Sequence, residues 1–351
     1  MKEEAIQPYS RDGRVWYLDW LRVAACLAVV LIHSFTTLLD NSTVSEVGVA
    51  RALVWTEILV VFGRWAVPVF LMVTGALLLD PLREVGREKL RGYVMRVMAV
   101  LLTFGVAYAL LELIFNLRSF EVSMVFIAAL NVFQGRGWAH FWYLYDLMGV
   151  YLILPLIRSF SSTASRRDYE AMLAVLFVCS LVIPSVNAAL GLELETLIWF
   201  GSSIFYVLLG RYLSIYELPM GPVLGLGIIS AAVQMLLACG GIVLYGDYCS
   251  WVWNPSSPFV AFWAAAVFLT FKRFLDLPMK RDGVARVVAS CSFAVYVVHP
   301  LFANFLYKAM GWASAPLPPV LFELTTYFLI MLPSFVLSLV LRKMPVVRRI
   351  L

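Results

Sequence analysis

Apolar residues fill this chain in long unbroken stretches, not in the narrow stripes of a soluble helix or the alternation of a strand. A helix needs about 20 such residues to cross a bilayer. That ruler predicts spans near 16–39, 54–79, 93–116, 139–160, 169–190, 197–216, 221–245, 258–275, 289–310 and 319–341. A weaker run over 120–134 (FEVSMVFIAALNVFQ) is too short to cross and predicts an interfacial or re-entrant helix. The expected fold is an all-α integral membrane protein, a bundle of ten transmembrane helices. No internal repeat is visible, and no connection is long enough to fold as a soluble domain.

Composition agrees. Of 351 residues, 62% are hydrophobic and only 14% charged, against about 25% charged in soluble domains. Such a chain cannot cover itself with polar groups, so lipid is its surrounding partner. The net charge of +5 lies mostly in short loops and so sets orientation; no nucleic-acid partner is expected. Basic residues gather at 80–92 (Arg83, Arg87, Lys89, Arg91), 158–167 (Arg158, Arg166, Arg167), 272–286 (Lys272, Arg273, Lys280, Arg281, Arg286) and the tail (Arg342, Lys343, Arg348, Arg349). The loops between them are acidic or nearly uncharged, with Glu193, Glu195 and Asp247. Ten spans with both termini cytoplasmic bring every strongly basic loop inside; an eleventh span over 120–134 would reverse all the later ones. The chain then divides into a cytoplasmic segment (1–15), a membrane domain (16–341) and a basic cytoplasmic tail (342–351). Asp19 and Arg22 would spoil a signal-peptide core, so the first span is expected to remain uncleaved.

Five cysteines are too few and too scattered for a metal or redox motif, and no metal site is expected. Cys26, Cys179 and Cys291 read as small core residues. Cys239 and Cys249 could meet in an oxidising compartment, although nothing fixes their geometry.

The candidate chemistry lies in ionisable groups at membrane depth, where each costs about 2.5–3.5 kcal/mol even on the gentlest insertion scale. In YLDWLRVAACLAVVLIHSF (17–35), Arg22 and His33 are eleven residues apart. At about 100° and 1.5 Å per residue they share one face, some 16.5 Å apart along the axis. Asp19 lies one turn from Arg22 and can pair with it. The chain's other two histidines also fall in spans: His140 beside Trp142 and Tyr143, and His299 before Pro300. A neutral imidazole is the natural general base near neutral pH. Glu57 and Arg64 lie in the outer half of the second span, and Arg91 and Arg96 at the inner end of the third. Clustered guanidinium groups there suit a phosphate-bearing ligand, though positive-inside anchoring explains some of them equally well.

An Arg, ten intervening residues and a His in the first span resembles the signature of the membrane-bound acyltransferase-3 family. VPVFLMVTGALLL (67–79), HFWYLYDLMGVYLILPLI (140–157) and SFAVYVVHPLF (292–302) resemble further segments of that family, in the expected order over residues 16–310. The His-Phe-Trp-Tyr run is most similar to the branch containing the enterobacterial-common-antigen O-acetyltransferase. One departure stands out: the family often carries Arg-x-x-Arg at the start of span three, whereas KLRGYVMRV (89–97) has Arg96 in one place and Tyr93 in the other.

The resemblance implies a bacterial inner-membrane O-acyltransferase. It would move an acyl group, commonly acetyl, from cytoplasmic acetyl-CoA to a hydroxyl of an extracytoplasmic glycan, with acyl-CoA as co-substrate and no tightly bound cofactor. On that reading Arg22, Arg91, Arg96 and Arg64 form the donor-binding set. The pantetheine arm rises along the first helix through a corridor to His33, the base or transient acyl carrier. Asp19 holds Arg22, and His299 orients or relays for His33. His140, Trp142, Tyr143 and Glu57 line the acceptor side. The alternative is a proton-coupled transporter or polysaccharide exporter, which buried ionisable groups fit equally well; transporters commonly show repeated halves.

Overall fold

The computed structural model describes residues 14–39, 43–194, 201–280, 283–315, 317–345 and 347–351. Glu195, Arg281 and the predicted span start at 197–200 lie outside the described residues. Every regular element described is helical. The main helices are α1 (Trp16–Leu39), α2 (Val44–Val47), α3 (Val49–Ile58), α4 (Ala66–Leu78), α5 (Arg87–Val100), α6 (Val106–Leu117), α7 (Ser123–Phe133) and α8 (Trp142–Thr163). They continue with α9 (Arg166–Phe177), α10 (Ile183–Leu190), α11 (Gly201–Ile215), α12 (Met220–Tyr245), α13 (Pro258–Phe274), α14 (Val284–Asn304), α15 (Pro319–Leu341) and α16 (Val347–Ile350).

Among the described residues nine stretches are long and apolar enough to cross a membrane. Pairs α3–α4, α5–α6 and α9–α10 each form one crossing of 25 to 31 residues. The candidate without that status is α11. Its 15 described residues rise only about 22 Å, short of the roughly 30 Å hydrocarbon core. The short run near 120–134 folds as α7, 11 residues long, against α6. Phe126 and Phe133 on it are exposed, as suits a helix bordered by lipid on one side.

Four crossings contain a widened π-helical turn: Leu59–Gly63 between α3 and α4, Leu101–Gly105 between α5 and α6, Val178–Val182 between α9 and α10, and Phe305–Ala309 after α14. Interruptions of this kind accommodate one extra residue per turn and frequently accompany function. Pro155, Pro300 and Pro333 lie inside helices, which membrane helices tolerate when neighbours satisfy the freed backbone groups. Elsewhere local chemistry starts the helices in the usual ways. Ser165 and Asp168 form a reciprocal cap on α9, and Pro258 and Pro319 occupy the first turns of α13 and α15.

Helix α1 is the hub. It packs against α4, α13, α14 and α15, and Leu18, Leu21, Ala25, Cys26, Val29 and Val30 on it are all buried. A helix apolar nearly all round belongs inside a bundle, so its few polar groups face protein. Its first turn is tied down by Tyr17 N–H donating to Asp276 Oδ1 at 3.2 Å and Trp20 Nε1–H donating to the Leu277 carbonyl at 3.0 Å.

Helices α4 and α11 cross at two glycines. A Cβ on Gly75 would stand 1.8 Å from the Val207 carbonyl oxygen, and one on Gly210 would stand 2.0 Å from that of Met72. In lipid, helices gain little from the hydrophobic effect and associate through such close backbone packing. This crossing fixes α4, which carries one wall of the site.

Candidate active site

At one end of α1, Arg22 donates to Asp19 Oδ1 at 3.1 Å. Arg14 lies 3.8 Å from the same carboxylate. The pairing that the three-residue spacing predicts is therefore present. Arg22 opens onto a cavity of about 390 Å³ lined by residues of α1, α4, α5, α8 and α14 and by Leu351, a volume within the range of small-molecule sites. Arg96 lines it too, lying 4.9 Å above the Phe293 ring. Arg96 Nε–H donates to the Ile350 carbonyl at 3.0 Å, and a terminal nitrogen donates to Leu351 O. The last turn of the described chain thus covers this mouth. Tyr93, in the place where the family pattern has arginine, packs on Tyr151 across the same cavity with ring centroids 5.4 Å apart. Arg91 is exposed and does not line it.

At the other end of α1 the three histidines converge. Ring centroids of His33 and His299 are 5.1 Å apart, His140 and His299 5.8 Å, and His33 and His140 6.3 Å. His140 and His299 are buried and His33 is half-buried. The His299 Nδ1 lies 3.0 Å from the Val295 carbonyl. Donation there selects the tautomer that leaves a lone pair on Nε2. Among the described residues neither His299 Nε2 nor His140 Nε2 has a hydrogen-bond partner. Two orphaned ring nitrogens among buried rings are costly for folding alone, which makes the cluster a candidate for chemistry. His33 Nδ1 is 3.3 Å from the Thr36 hydroxyl. No group of three His, Cys, Asp or Glu among the described residues has metal-holding geometry.

The surrounding elements explain the convergence. A short 3-10 turn, Ala139–Phe141, precedes α8 and turns His140 inward, where Phe141 packs against it at 4.0 Å between centroids. Tyr108 on α6 stacks on Trp138 at 4.4 Å behind it. Tyr296 Oη donates to the His140 backbone carbonyl, joining α14 to the start of α8.

The expected corridor from Arg22 to His33 is not open. Tyr143 and Tyr296, whose ring centroids are 5.6 Å apart, line the cavity, and none of the three histidines does. His299 lies three residues after Tyr296, about 4.5 Å farther along α14, and His140 lies three residues before Tyr143, on the 3-10 turn that precedes α8. The closure is aromatic, one turn thick, and lies directly beneath the imidazoles.

The remaining sequence candidates scatter. Arg64 lies at the histidine end, 5.3 Å from the Trp253 ring and within electrostatic reach of His33, far along the helix from the Arg22 mouth. Tyr143 faces the cavity, while Trp142 is exposed. Glu57 is exposed on α3, toward Cys239 of α12. Cys239 and Cys249 are both free thiols.

Sequence reasoning missed Glu323. It is 1% exposed on α15, and both its carboxylate oxygens lack a partner among the described residues. Tyr307 and Arg51 are its electrostatic neighbours, and Tyr307 Oη donates to the carbonyl of Ser34, next to His33. A lone acid in the otherwise apolar run PVLFELTTYF was the available signal.

A family model described as an acyltransferase domain matches residues 15–343, nearly the whole chain. The protein belongs to that family and is a multi-pass membrane acyltransferase. Neither the curated proteins nor the solved structures yielded a match. Membership favours group transfer over the export alternative.

Proposed function

We propose that the protein is an O-acyltransferase of the bacterial inner membrane, taking an acetyl group from cytoplasmic acetyl-CoA to a hydroxyl of an extracytoplasmic glycan. In this reading both termini and the Arg22 mouth face the cytoplasm. The observation that carries it is a cationic cavity, with Arg22 and Arg96 on its wall, ending one helical turn from three clustered histidines. Guanidinium groups bind the phosphates of the donor, and the thioester arm lies in the cavity between Tyr93, Tyr151 and Phe293. Arg96 becomes available when the Ile350 and Leu351 oxygens release it.

At the histidine end the acceptor hydroxyl loses its proton to an imidazole, with His33 as the base. The oxygen attacks the thioester carbonyl, the C–S bond breaks as the C–O bond forms, and the proton passes to the departing thiolate. In the two-step variant His33 carries the acyl group between donor and acceptor. His299 relays or orients through its unpartnered Nε2, and Arg64 lies where it can stabilise the carbonyl oxygen as it gains charge. His140 and Trp142 border the acceptor, a sugar of the enterobacterial-common-antigen type or another surface glycan.

The test uses the purified chain in lipid nanodiscs with radiolabelled acetyl-CoA and a panel of glycan acceptors, without any ion gradient. The wild type should release free CoA and label an acceptor. His33→Ala should lower the rate by about 10²–10⁴, the usual contribution of a positioned acid or base, with an unchanged thermal transition. Full transfer by His33→Ala refutes the assignment. Transport of a glycan without any acyl transfer restores the exporter alternative.

A further inference from the structure

The closure between the cavity and the histidines has a second meaning, resting on the acyl-CoA reading above. We infer that Tyr143 and Tyr296 form a chain-length gauge that restricts the donor to short acyl groups.

For transfer, the thioester carbonyl must come within bonding reach of an imidazole or of an oxygen held beside one. The arm arrives from the Arg22 side, so the thioester stands at the tyrosine pair and the acyl tail projects past it. The space beyond is crowded by rings. Phe141 lies 4.0 Å from His140, His33 lies 5.1 Å from His299, and Tyr296 lies 5.8 Å from His140. Tyr108 and Trp138 back this group at 6.3 Å from His140. Protein interiors packed in this way resist added volume. The tail has no room to fold back, because the cavity below holds the arm.

The two tyrosines differ in freedom. Tyr296 is anchored by its hydrogen bond to the His140 carbonyl and packs on Phe293, Tyr143, His140 and His299. Tyr143 packs on Phe70 at 6.4 Å, Tyr296 and Trp142 and has no hydrogen bond among the described residues. Tyr143 is therefore the adjustable jaw. Truncating it enlarges the passage without removing the hydrogen bond that holds α14 to α8.

The experiment measures kcat/KM for acetyl-, propionyl-, butyryl- and octanoyl-CoA. In the wild type each added methylene should cost about tenfold or more, as one methylene does in a closed pocket. Tyr143→Ala should raise the butyryl-to-acetyl ratio at least tenfold. Tyr143→Phe, which keeps the ring, should leave that ratio at the wild-type value. Phe70→Ala, on the opposite wall, gives a second opening should Tyr143→Ala fold poorly, and should also raise the ratio. Equal use of acetyl and octanoyl donors by the wild type overturns the gauge while leaving the donor reading intact. An unchanged ratio in both truncated variants overturns it likewise. No transfer from any acyl-CoA overturns the donor reading and this inference with it.

Discussion

The crossing of α4 and α11 permits a sharp test of how the site is held. Gly75→Ala places a Cβ 1.8 Å from the Val207 carbonyl oxygen, while real Cβ contacts essentially never fall below 3.0 Å. The helices must separate by about 1.2 Å, and the contact is backbone, so no side chain can swing aside. Overpacking of this kind costs typically 1–3 kcal/mol. The shift also moves Phe70, Val73 and Thr74, which form the cavity wall on α4, and a misplacement of about 1 Å can reduce turnover by roughly 10²-fold. The control is Gly149→Ala on α8, whose added Cβ meets nothing within 4 Å. That change should be neutral or stabilise the helix by up to about 1 kcal/mol. Thermal unfolding of both variants in one detergent, with acyl-transfer rates beside it, separates the effects. Equal transition temperatures for the two variants, or full activity in Gly75→Ala, would refute the crossing as the clamp on α4.

Two further substitutions probe the two ends of the site. Arg22→Gln should raise the donor KM at least tenfold. Asp19→Asn should act more weakly, because an ion pair with Arg22 half-exposed is worth about 0–1 kcal/mol; steady-state kinetics at varied acetyl-CoA reads both, and equal effects would refute a positioning role for Asp19. Glu323→Gln keeps the shape of a buried acid that has no hydrogen-bond partner among the described residues, so the fold should survive while transfer falls more than tenfold. Unaltered kinetics would make Glu323 a structural residue.

Much of the architecture was legible because membrane depth imposes a length on every span, and the eleven-residue interval in α1 sets Arg22 and His33 on one face. The convergence of His140 was not legible. Its neighbours Trp142 and Tyr145 resemble an interfacial belt, and nothing in a helical period reports that a 3-10 turn directs residue 140 toward residue 299. Tyr143 stands beside His140 in sequence, yet three residues suffice to put it on the wall of the Arg22 cavity. Arg64 is the converse case: grouped by charge with Arg22, Arg91 and Arg96, it lies instead near Trp253 and His33. The contact of Arg96 with residues 350 and 351 depends on how the last turn folds back, a long-range event without a local pattern. Glu323 escaped notice because a single acid scarcely lowers the hydropathy of its run.

The widened turn Leu59–Gly63 also has a consequence for variation at this site. It accommodates one extra residue immediately before Arg64 without breaking the crossing. Losing one residue there would leave a regular helix whose two flanks keep their relative facing, whereas losing one in the regular part of the crossing would rotate everything beyond it by about 100°. A loss in α4 between Arg64 and Phe70 would leave the two no longer facing inward together. The turn is a phase adjuster, so a length change of one residue is absorbed within it and disrupts the site only in the regular helix beside it.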